Sequence, residues 1–207
     1  PEGYYWRRRG GSSERVTSTP HVAPSNFSQG PAWVWPNPLD EQVRHSPLID
    51  AQKHVYIATA VRIRKFDSDG ALLWQWECGY GEGKMTASPA LYNGTLYAWS
   101  TARHRVIAHA YAIDMETGRQ RWKVRMAVFS HEDASSIFVY NGTLLVPTRD
   151  HAEDRPVVGG EDGNNQITAL SASDGSLLWE YAADDIMWNM MLSTPGDGTV
   201  LFSSQCG

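Results

Sequence analysis

The segment AIDMETGRQRW, from Ala112 to Trp122, decides the fold of this 207-residue chain. It recurs as ALSASDGSLLW from Ala169 to Trp179 and, in weaker form, as RKFDSDGALLW from Arg64 to Trp74. Every copy places a glycine turn four residues before a tryptophan and a short apolar arm before the turn. Because glycine supplies the positive φ that tight turns require, each copy predicts a β-hairpin whose return strand ends on a large aromatic side chain. Three copies in one chain indicate a repeat architecture.

Serine-led segments of a strand–turn–strand type alternate with these hairpins. They are Ser46–Thr59, Ser88–Ser100, Ser136–Thr148 and Ser193–Ser204. Asn93-Gly94 and Asn141-Gly142 are strong signals for type I′ hairpin turns, and Asp197-Gly198 is a third. Two hairpins in a unit of about 40 to 50 residues make a four-stranded antiparallel sheet, and such sheets repeated around an axis form a β-propeller.

The chain is therefore predicted to be all-β, a partial β-propeller of about three four-stranded antiparallel blades plus fragments. The blades are expected over about residues 44–78, 86–124 and 134–182, and the next unit begins within 190–207. A propeller needs at least about four blades. We therefore expect a longer parent chain that supplies the remaining blades, or an open arc that another chain completes.

Two segments depart from the regular repeat. The spacing of the motif tryptophans grows because the polar insertion Asp150–Asn165 lies inside the third unit. The segment AWVWPNP, residues 32–38, predicts the final strand of a hairpin whose first half is missing, since Trp33 and Trp35 echo Trp74 and Trp76.

The hairpin motif resembles the tryptophan-docking motif A-x-D-x-x-T-G-x-x-x-W of the pyrroloquinoline-quinone (PQQ) type propeller repeats. The matching residues are Ala112, Asp114, Thr117, Gly118 and Trp122, then Ala169, Gly175 and Trp179, and finally Gly70 and Trp74. The resemblance covers about residues 31–207. It implies that each tryptophan lies flat against the neighbouring blade, beside the glycine of the next motif. It also implies an extracytoplasmic location, because members of this family usually work in a periplasm, a lumen or the extracellular space.

That family includes quinoprotein dehydrogenases, whose chemistry requires PQQ on a tryptophan floor, a Ca²⁺ held by carboxylate and Asn oxygens, and an Asp base. Adjacent cysteines, which often form a disulfide there, are absent from this chain, whose cysteines are Cys78 and Cys206. A disulfide between these two and a pair of free thiols both remain open. No cofactor is expected, and PQQ and Ca²⁺ enter only if the chain is a fragment of such a dehydrogenase.

Polar residues in the connections between units are the candidates for ligand binding. His131, Glu132 and Asp133 form the best cluster for a ligand in a central funnel, and Lys84, Trp188 and Asn189 occupy comparable connections. A solvated loop is the plainer interpretation of each. The acidic insertion Asp150–Asn165 likewise has two interpretations, a Ca²⁺-binding loop or a solvent-exposed loop.

Residues 1–30 form an arm rich in Ser, Gly, Pro and Arg, without strand alternation. Its aromatic and basic residues suggest docking onto a partner, with a solvated tail as the alternative; they are Tyr4, Tyr5, Trp6, Arg7, Arg8 and Arg9. Asn26, Asn93 and Asn141 head glycosylation sequons, two of which are equally well explained as hairpin turns.

The formal net charge of −5 gives no support for a nucleic-acid partner, and no apolar run is long enough to span a bilayer. We therefore predict a non-catalytic β-propeller that serves as an interaction or scaffold module, an accessory subunit within a larger complex of protein partners. The alternatives are a fragment of a PQQ-dependent dehydrogenase and a ligand-sensing propeller.

Overall fold

The computed structural model describes residues 6–11, 26–102, 107–128, 130, 135–149, 163–187 and 191–203. This part of the chain is built from strands and turns. It contains no helix, and thus none that could cross a membrane. The thirteen strands form three separate antiparallel sheets, which we call blades 1, 2 and 3.

Blades 1 and 3 are meanders in which consecutive strands are neighbours, whereas in blade 2 the first two strands both pair with the third. Blade 1 contains β1 (Leu48–Ile49), β2 (Val55–Ala58), β3 (Arg62–Phe66) and β4 (Leu72–Glu77). Blade 2 contains β5 (Lys84–Met85), β6 (Ala90–Tyr92), β7 (Thr95–Ala102), β8 (Ile107–Asp114) and β9 (Gln120–Met126). Blade 3 contains β10 (Phe138–Tyr140), β11 (Thr143–Thr148), β12 (Asn164–Ser171) and β13 (Leu177–Met187).

Two of the three predicted type I′ turns have the expected backbone, whereas at Asp197-Gly198 only the glycine has a positive φ, of 95°. Asn93 and Gly94 have φ of 47° and 67°, and Asn141 and Gly142 have φ of 46° and 76°, so both pairs take the left-handed conformation that type I′ turns demand. The fourth unit is represented by one bridge, in which Ser193 and Leu201 exchange backbone hydrogen bonds of 3.0 and 2.7 Å. The arrangement is a partial β-propeller.

Two predicted details of the strands are wrong. Blade 2 has five strands and not four, because Lys84–Met85 adds a short strand that pairs with Ser100 and Thr101 of β7. Residues 32–38 form no strand. Prolines at 36 and 38 remove two backbone donors from a ladder there, and Asn37 has a φ of 47° that an extended strand does not accommodate.

Apolar cores fill the spaces between blades. Between blades 1 and 2, buried Tyr111 of β8 meets Trp76 of β4 with ring centroids 4.8 Å apart. Between blades 2 and 3, small alanines of β8 pack with Trp99 and with aliphatic residues of β11. Because the strands are antiparallel, the β1–β2, β3–β4, β6–β7, β8–β9, β10–β11 and β12–β13 turns share one end of the blades, which we call the turn end. The opposite end is the connection end.

Candidate functional site

Tryptophan–glycine contacts join neighbouring blades at the turn end. Trp74 of blade 1 lies on Gly118 of blade 2, so closely that a Cβ on this glycine would lie 2.8 Å from the ring. Trp122 of blade 2 lies on Gly175 of blade 3 in the same way, at 2.9 Å. Real Cβ atoms do not approach a ring this closely, and both glycines also have positive φ. Each position therefore requires glycine for two independent reasons.

A backbone carbonyl three residues before each glycine accepts two hydrogen bonds across the joint. The Met115 carbonyl accepts from the Trp74 indole N–H at 3.0 Å and from the Lys65 ammonium at 2.9 Å. The Ala172 carbonyl accepts from the Trp122 indole N–H at 3.2 Å and from the Tyr97 hydroxyl at 3.0 Å. The indole ring is thereby fixed at its polar edge as well as on its face.

The third joint of this kind uses the segment before blade 1. Trp33 lies on Gly70, where a Cβ would be 2.7 Å from the ring, and its indole N–H donates to the Ser68 carbonyl at 3.1 Å. Its ring also stacks on Phe66 at 5.7 Å between centroids. Residues 32–38 thus make the tryptophan contact that their echo of the motif suggests, although they do so outside any strand.

The remaining motif residues shape the hairpins. Ala112 pairs directly opposite Trp122, and Ala169 directly opposite Trp179, so a small residue stands beside each large ring. The Asp114 carboxylate accepts from the Thr117 backbone N–H at 2.8 Å and from its hydroxyl at 2.9 Å. The Arg121 guanidinium, 2.7 Å from the same carboxylate, and these turn donors hold the pKa of Asp114 far below its usual range. Asp114 is therefore a structural anion of the turn.

Among the described residues, the motif tryptophan of blade 3 has no blade covering it. Trp179 is 44% exposed, whereas Trp74 and Trp122 are half-buried under the adjoining blade. Tyr181, two residues along the same face of β13, is 50% exposed and meets only the edge of Phe202 among the described rings, at 5.7 Å between centroids.

Exposed leucine pairs mark the outer strands of two blades. Leu72 and Leu73 begin β4, and Leu177 and Leu178 begin β13; all four are about half exposed. The equivalent positions of blade 2, counted from the motif glycine, hold Gln120 and Arg121. We call the four leucines the rim leucines.

A cavity of about 610 Å³ opens at the turn end between blades 1 and 2. Its lining is highly charged and comprises Asp50, Ala51, Gln52, His54, Lys65, Gly94, Asp114, Met115, Glu116 and Arg121. Asp50 is buried and accepts from His54 Nδ1 at 2.9 Å and from the Tyr56 hydroxyl at 2.8 Å. Burial opposes its ionisation, but these hydrogen bonds outweigh that effect and lower the pKa of Asp50. Lys65 Nζ stands 3.7 Å away as its counter-charge.

The connection end carries two further ion networks. Burial alone would raise the pKa of Glu82, but hydrogen bonds from Lys123 (2.5 Å) and Tyr111 (2.7 Å) outweigh it and lower that pKa to about 2. Glu41 is partly buried, which opposes its ionisation, but hydrogen bonds from Arg64 and Arg62 outweigh this effect and lower its pKa to about 2. These carboxylates tie separate segments together and are fully ionised near neutral pH.

The donor set of the described residues does not fit the Ca²⁺ that accompanies PQQ in dehydrogenases. In the described ranges, no three His, Cys, Asp or Glu side chains group as metal ligands. Glu41, Asp50, Glu82 and Asp114 each face a Lys, Arg or His of the same chain. A hard cation requires several oxygen ligands that are not already neutralised.

The predicted polar cluster His131, Glu132 and Asp133 lies outside the described residues, as do Tyr4, Tyr5, Trp188, Asn189, Cys206 and the insertion residues 150–162. Cys78 is a free, buried thiol whose pKa is raised to about 11 by burial. Lys84 lies in β5, where it pairs with Thr101.

The arm residues Trp6 to Arg9 lie on the chain's own blades. Trp6 and Ile49 of β1 exchange two backbone hydrogen bonds, of 2.9 and 2.8 Å. The Leu91 N–H of β6 donates to the Arg7 carbonyl at 2.8 Å. Arg8 is only 2% exposed. This part of the arm is therefore not a solvated tail, because it is hydrogen-bonded to β1 of blade 1 and to β6 of blade 2.

The fold and its tryptophan–glycine joints define the class of the protein, a PQQ-type β-propeller. The chain belongs to the family described as outer membrane protein assembly factor BamB, whose model matches residues 31–122 and 62–200. No curated protein sequence matches the chain.

Solved structures agree on the fold. A europium-containing methanol dehydrogenase aligns with a TM-score of 0.55 at 14% identity, over 77% of this chain and 37% of its own. A quinohemoprotein alcohol dehydrogenase from Pseudomonas putida HK5 gives 0.51 at 17%, over 75% and 30%. BamB from Moraxella catarrhalis gives 0.50 at 16%, over 69% and 36%. The chain thus spans about a third of the length of these proteins.

Sequence reasoning missed the register of the first motif copy. By its distance from the glycine, Arg64 is the residue that corresponds to the motif alanine, which in the other two copies pairs with the tryptophan. In the structure, however, Trp74 pairs with Lys65 and not with Arg64. The turn of this copy is one residue shorter, and the long amine that results reaches across the joint to Met115. The ion network of Glu82 was also missed, because its partners Tyr111 and Lys123 lie far away in sequence. The partners of Asp50 are near in sequence but follow no motif.

Proposed function

We propose that this propeller is a non-catalytic interaction module, an accessory subunit that binds protein partners within a larger complex. The observation that carries the proposal is the set of rim leucines, which are about half exposed on the outer strands β4 and β13. Exposed large aliphatic side chains in clusters mark surfaces that associate with other proteins. The polar side chains at the same positions of blade 2 separate the two pairs.

The exposure of the rim leucines does not depend on the number of blades. Blade 1 has a neighbour on both sides, namely Trp33 on Gly70 and Gly118 under Trp74, and Leu72 and Leu73 are nevertheless 54% and 48% exposed. The equivalent Leu177 and Leu178, at 51% and 50%, occupy the same place in their blade. A further blade beside β13 would cover Trp179 and leave this pair at the rim.

The charges of the described residues favour a structural role over acid–base chemistry. A general base works best when its pKa lies near the working pH, which usually requires burial or repulsion to raise a carboxylate pKa. Here Glu41 and Glu82 have pKa values of about 2, because cations of the same chain face them. Carboxylates of this kind are weak bases and are already hydrogen-bonded.

We further propose that the module works without PQQ or Ca²⁺ and that it is located outside the cytosol. The family description, a factor in outer membrane protein assembly, supports both an extracytoplasmic site and a protein partner. The partners of the whole protein are part of this proposal, since the chain spans about a third of the structures it resembles.

Site-specific photocrosslinking in the native source cell tests the proposal. A photoreactive amino acid is placed at Leu73, at Leu178 or, as the matched control, at Gln120, and crosslinked products are identified by mass spectrometry. We expect Leu73 and Leu178 to crosslink to a defined protein partner and Gln120 to give far less product. Equal products at all three positions, or none at the leucines, would contradict a rim interface.

A direct assay separates this proposal from the dehydrogenase alternative. Purified protein is incubated with PQQ and Ca²⁺, and cofactor retention and dye-linked alcohol oxidation are measured. We expect neither retention nor turnover. Stoichiometric retention with turnover would establish an enzyme.

A further inference from the structure

The groove along the inner side of the blades holds residues 6–11 of the arm. This groove, which we call the axial groove, is formed by β1, β6, β10 and the start of the fourth unit at Leu192. Because these strands belong to successive blades, one short segment contacts every repeat of the chain. The arm makes these contacts in two ways, through its backbone and through the buried side chain of Arg8.

The backbone contacts resemble the addition of a strand. Trp6 pairs with Ile49 through two hydrogen bonds, and Leu91 donates its N–H to the Arg7 carbonyl. Such contacts recognise extended backbone of any sequence. The chain then turns away, since the Gly11 N–H donates to the Arg8 carbonyl at 3.0 Å and both Gly10 and Gly11 have positive φ.

The side chain of Arg8 supplies the specificity. One of its terminal nitrogens donates to the Leu192 carbonyl at 2.6 Å, and the guanidinium carbon lies 4.7 Å from the centroid of the Phe138 ring. A guanidinium presents a flat, weakly hydrated face to an aromatic ring while its edge donates hydrogen bonds, which an ammonium cannot do. The nearly complete burial of a cation is costly unless its environment is built for it. The groove therefore contains an arginine site.

We infer that the axial groove is a binding site for an extended peptide with one buried arginine, and that residues 6–11 fill it from within the chain. The inference rests on the proposed function and names the partner class, an extended arginine-bearing segment of another protein. Because the arm is tethered, its effective concentration is of the order of millimolar. A partner segment therefore competes with the arm, and the arm limits binding in trans.

The first test measures binding of a labelled peptide of residues 3–11, GYYWRRRGG, by fluorescence polarisation. The full chain is compared with the full chain carrying Arg8→Ala, whose arm lacks the buried side chain. We expect the peptide to bind the Arg8→Ala chain at least about tenfold more tightly than the unchanged chain. Peptides with Arg8→Ala or Arg8→Lys should bind much more weakly, the second because a lysine keeps only the charge.

Circular dichroism first establishes that the Arg8→Ala chain is folded. The inference is overturned if this chain binds the unchanged peptide no better than the Arg8→Lys peptide. Hydrogen exchange of the unchanged chain gives an independent reading, because the amides of Ile49 and Leu91 donate to the arm. We expect both amides to be protected, to exchange faster in the Arg8→Ala chain and to regain protection with peptide. Unprotected amides in the unchanged chain would contradict the binding of residues 6–11 in the axial groove. Neither result bears on the rim leucines, so failure of this inference is distinguishable from failure of the proposed function.

Discussion

The joint between blades 2 and 3 and the open flank of blade 3 are built from the same motif, with different outcomes. Trp122 lies on Gly175 and donates to the Ala172 carbonyl, whereas Trp179, at the same position of its own hairpin, is 44% exposed. Each tryptophan is one half of a contact whose other half belongs to the next blade. The motif therefore fixes the position of the ring within a blade, and the neighbour determines its burial.

The largest expected effect comes from removing a ring that has its neighbour. Trp122→Ala should lower the free energy of unfolding by about 2 to 4 kcal/mol, since it empties the space over Gly175 and removes a hydrogen-bond donor. The matched control Trp179→Ala should cost less than about 1 kcal/mol, because that ring is largely exposed. Urea denaturation checks both variants, and equal losses would refute the difference between the joint and the flank.

The glycine side of a joint is expected to be the next most sensitive. Gly118→Ala should cost about 2 to 3 kcal/mol, because a Cβ meets the Trp74 ring at 2.8 Å and φ is 70°. Gly142→Ala is the control, since φ is a similar 76° but no atom lies within 4 Å. That change should cost only about 1 kcal/mol. The difference between the two isolates the ring contact, and indistinguishable losses would show that the contact contributes nothing.

A smaller effect is expected at the connection end of the same pair of blades. In a double-mutant cycle, Glu82→Gln and Lys123→Met should show a coupling of about 1 kcal/mol at pH 7. The folded-state pKa of Glu82, about 2, lies below its ordinary value of 4.5, so the unfolded chain binds a proton first as the pH falls. The coupling should therefore be complete above about pH 5 and disappear as the pH approaches 2. A coupling that is the same at both ends of this range would exclude the ion pair.

The smallest effect is expected within a single turn. Thr117→Ala removes the hydroxyl that donates to Asp114 at 2.9 Å and should cost about 0.5 kcal/mol, because the turn is exposed. Thr117→Ser keeps the hydroxyl and should restore most of the loss. Thermal unfolding of the three proteins checks this, and a serine variant as unstable as the alanine variant would assign the effect to the lost methyl group.

The sequence predicted the repeating parts of the molecule because local chemistry determines them. Asn-Gly pairs between two strands strongly favour a type I′ turn, and a glycine four residues before a tryptophan places that ring at the edge of a hairpin. The register of Lys65 could not be predicted, since one residue less in a turn shifts the partner strand without changing the motif spacing. The course of residues 6–11 could not be predicted either, because Arg8 binds Leu192 across 184 positions and no periodicity marks such a contact.

Hydroxyl-radical footprinting tests most directly whether the motif tryptophan is covered at the joints between blades and exposed at the flank of blade 3. The isolated chain is oxidised briefly, and the modified fraction of each side chain is measured by peptide mass spectrometry. Fully buried Trp99 provides the lower reference. We predict that Trp179 is oxidised several times faster than Trp74 and Trp122, whose half-buried rings should fall between Trp179 and Trp99. Oxidation of Trp179 no faster than that of Trp122 would contradict the account, because the flank would then be covered as the joints are.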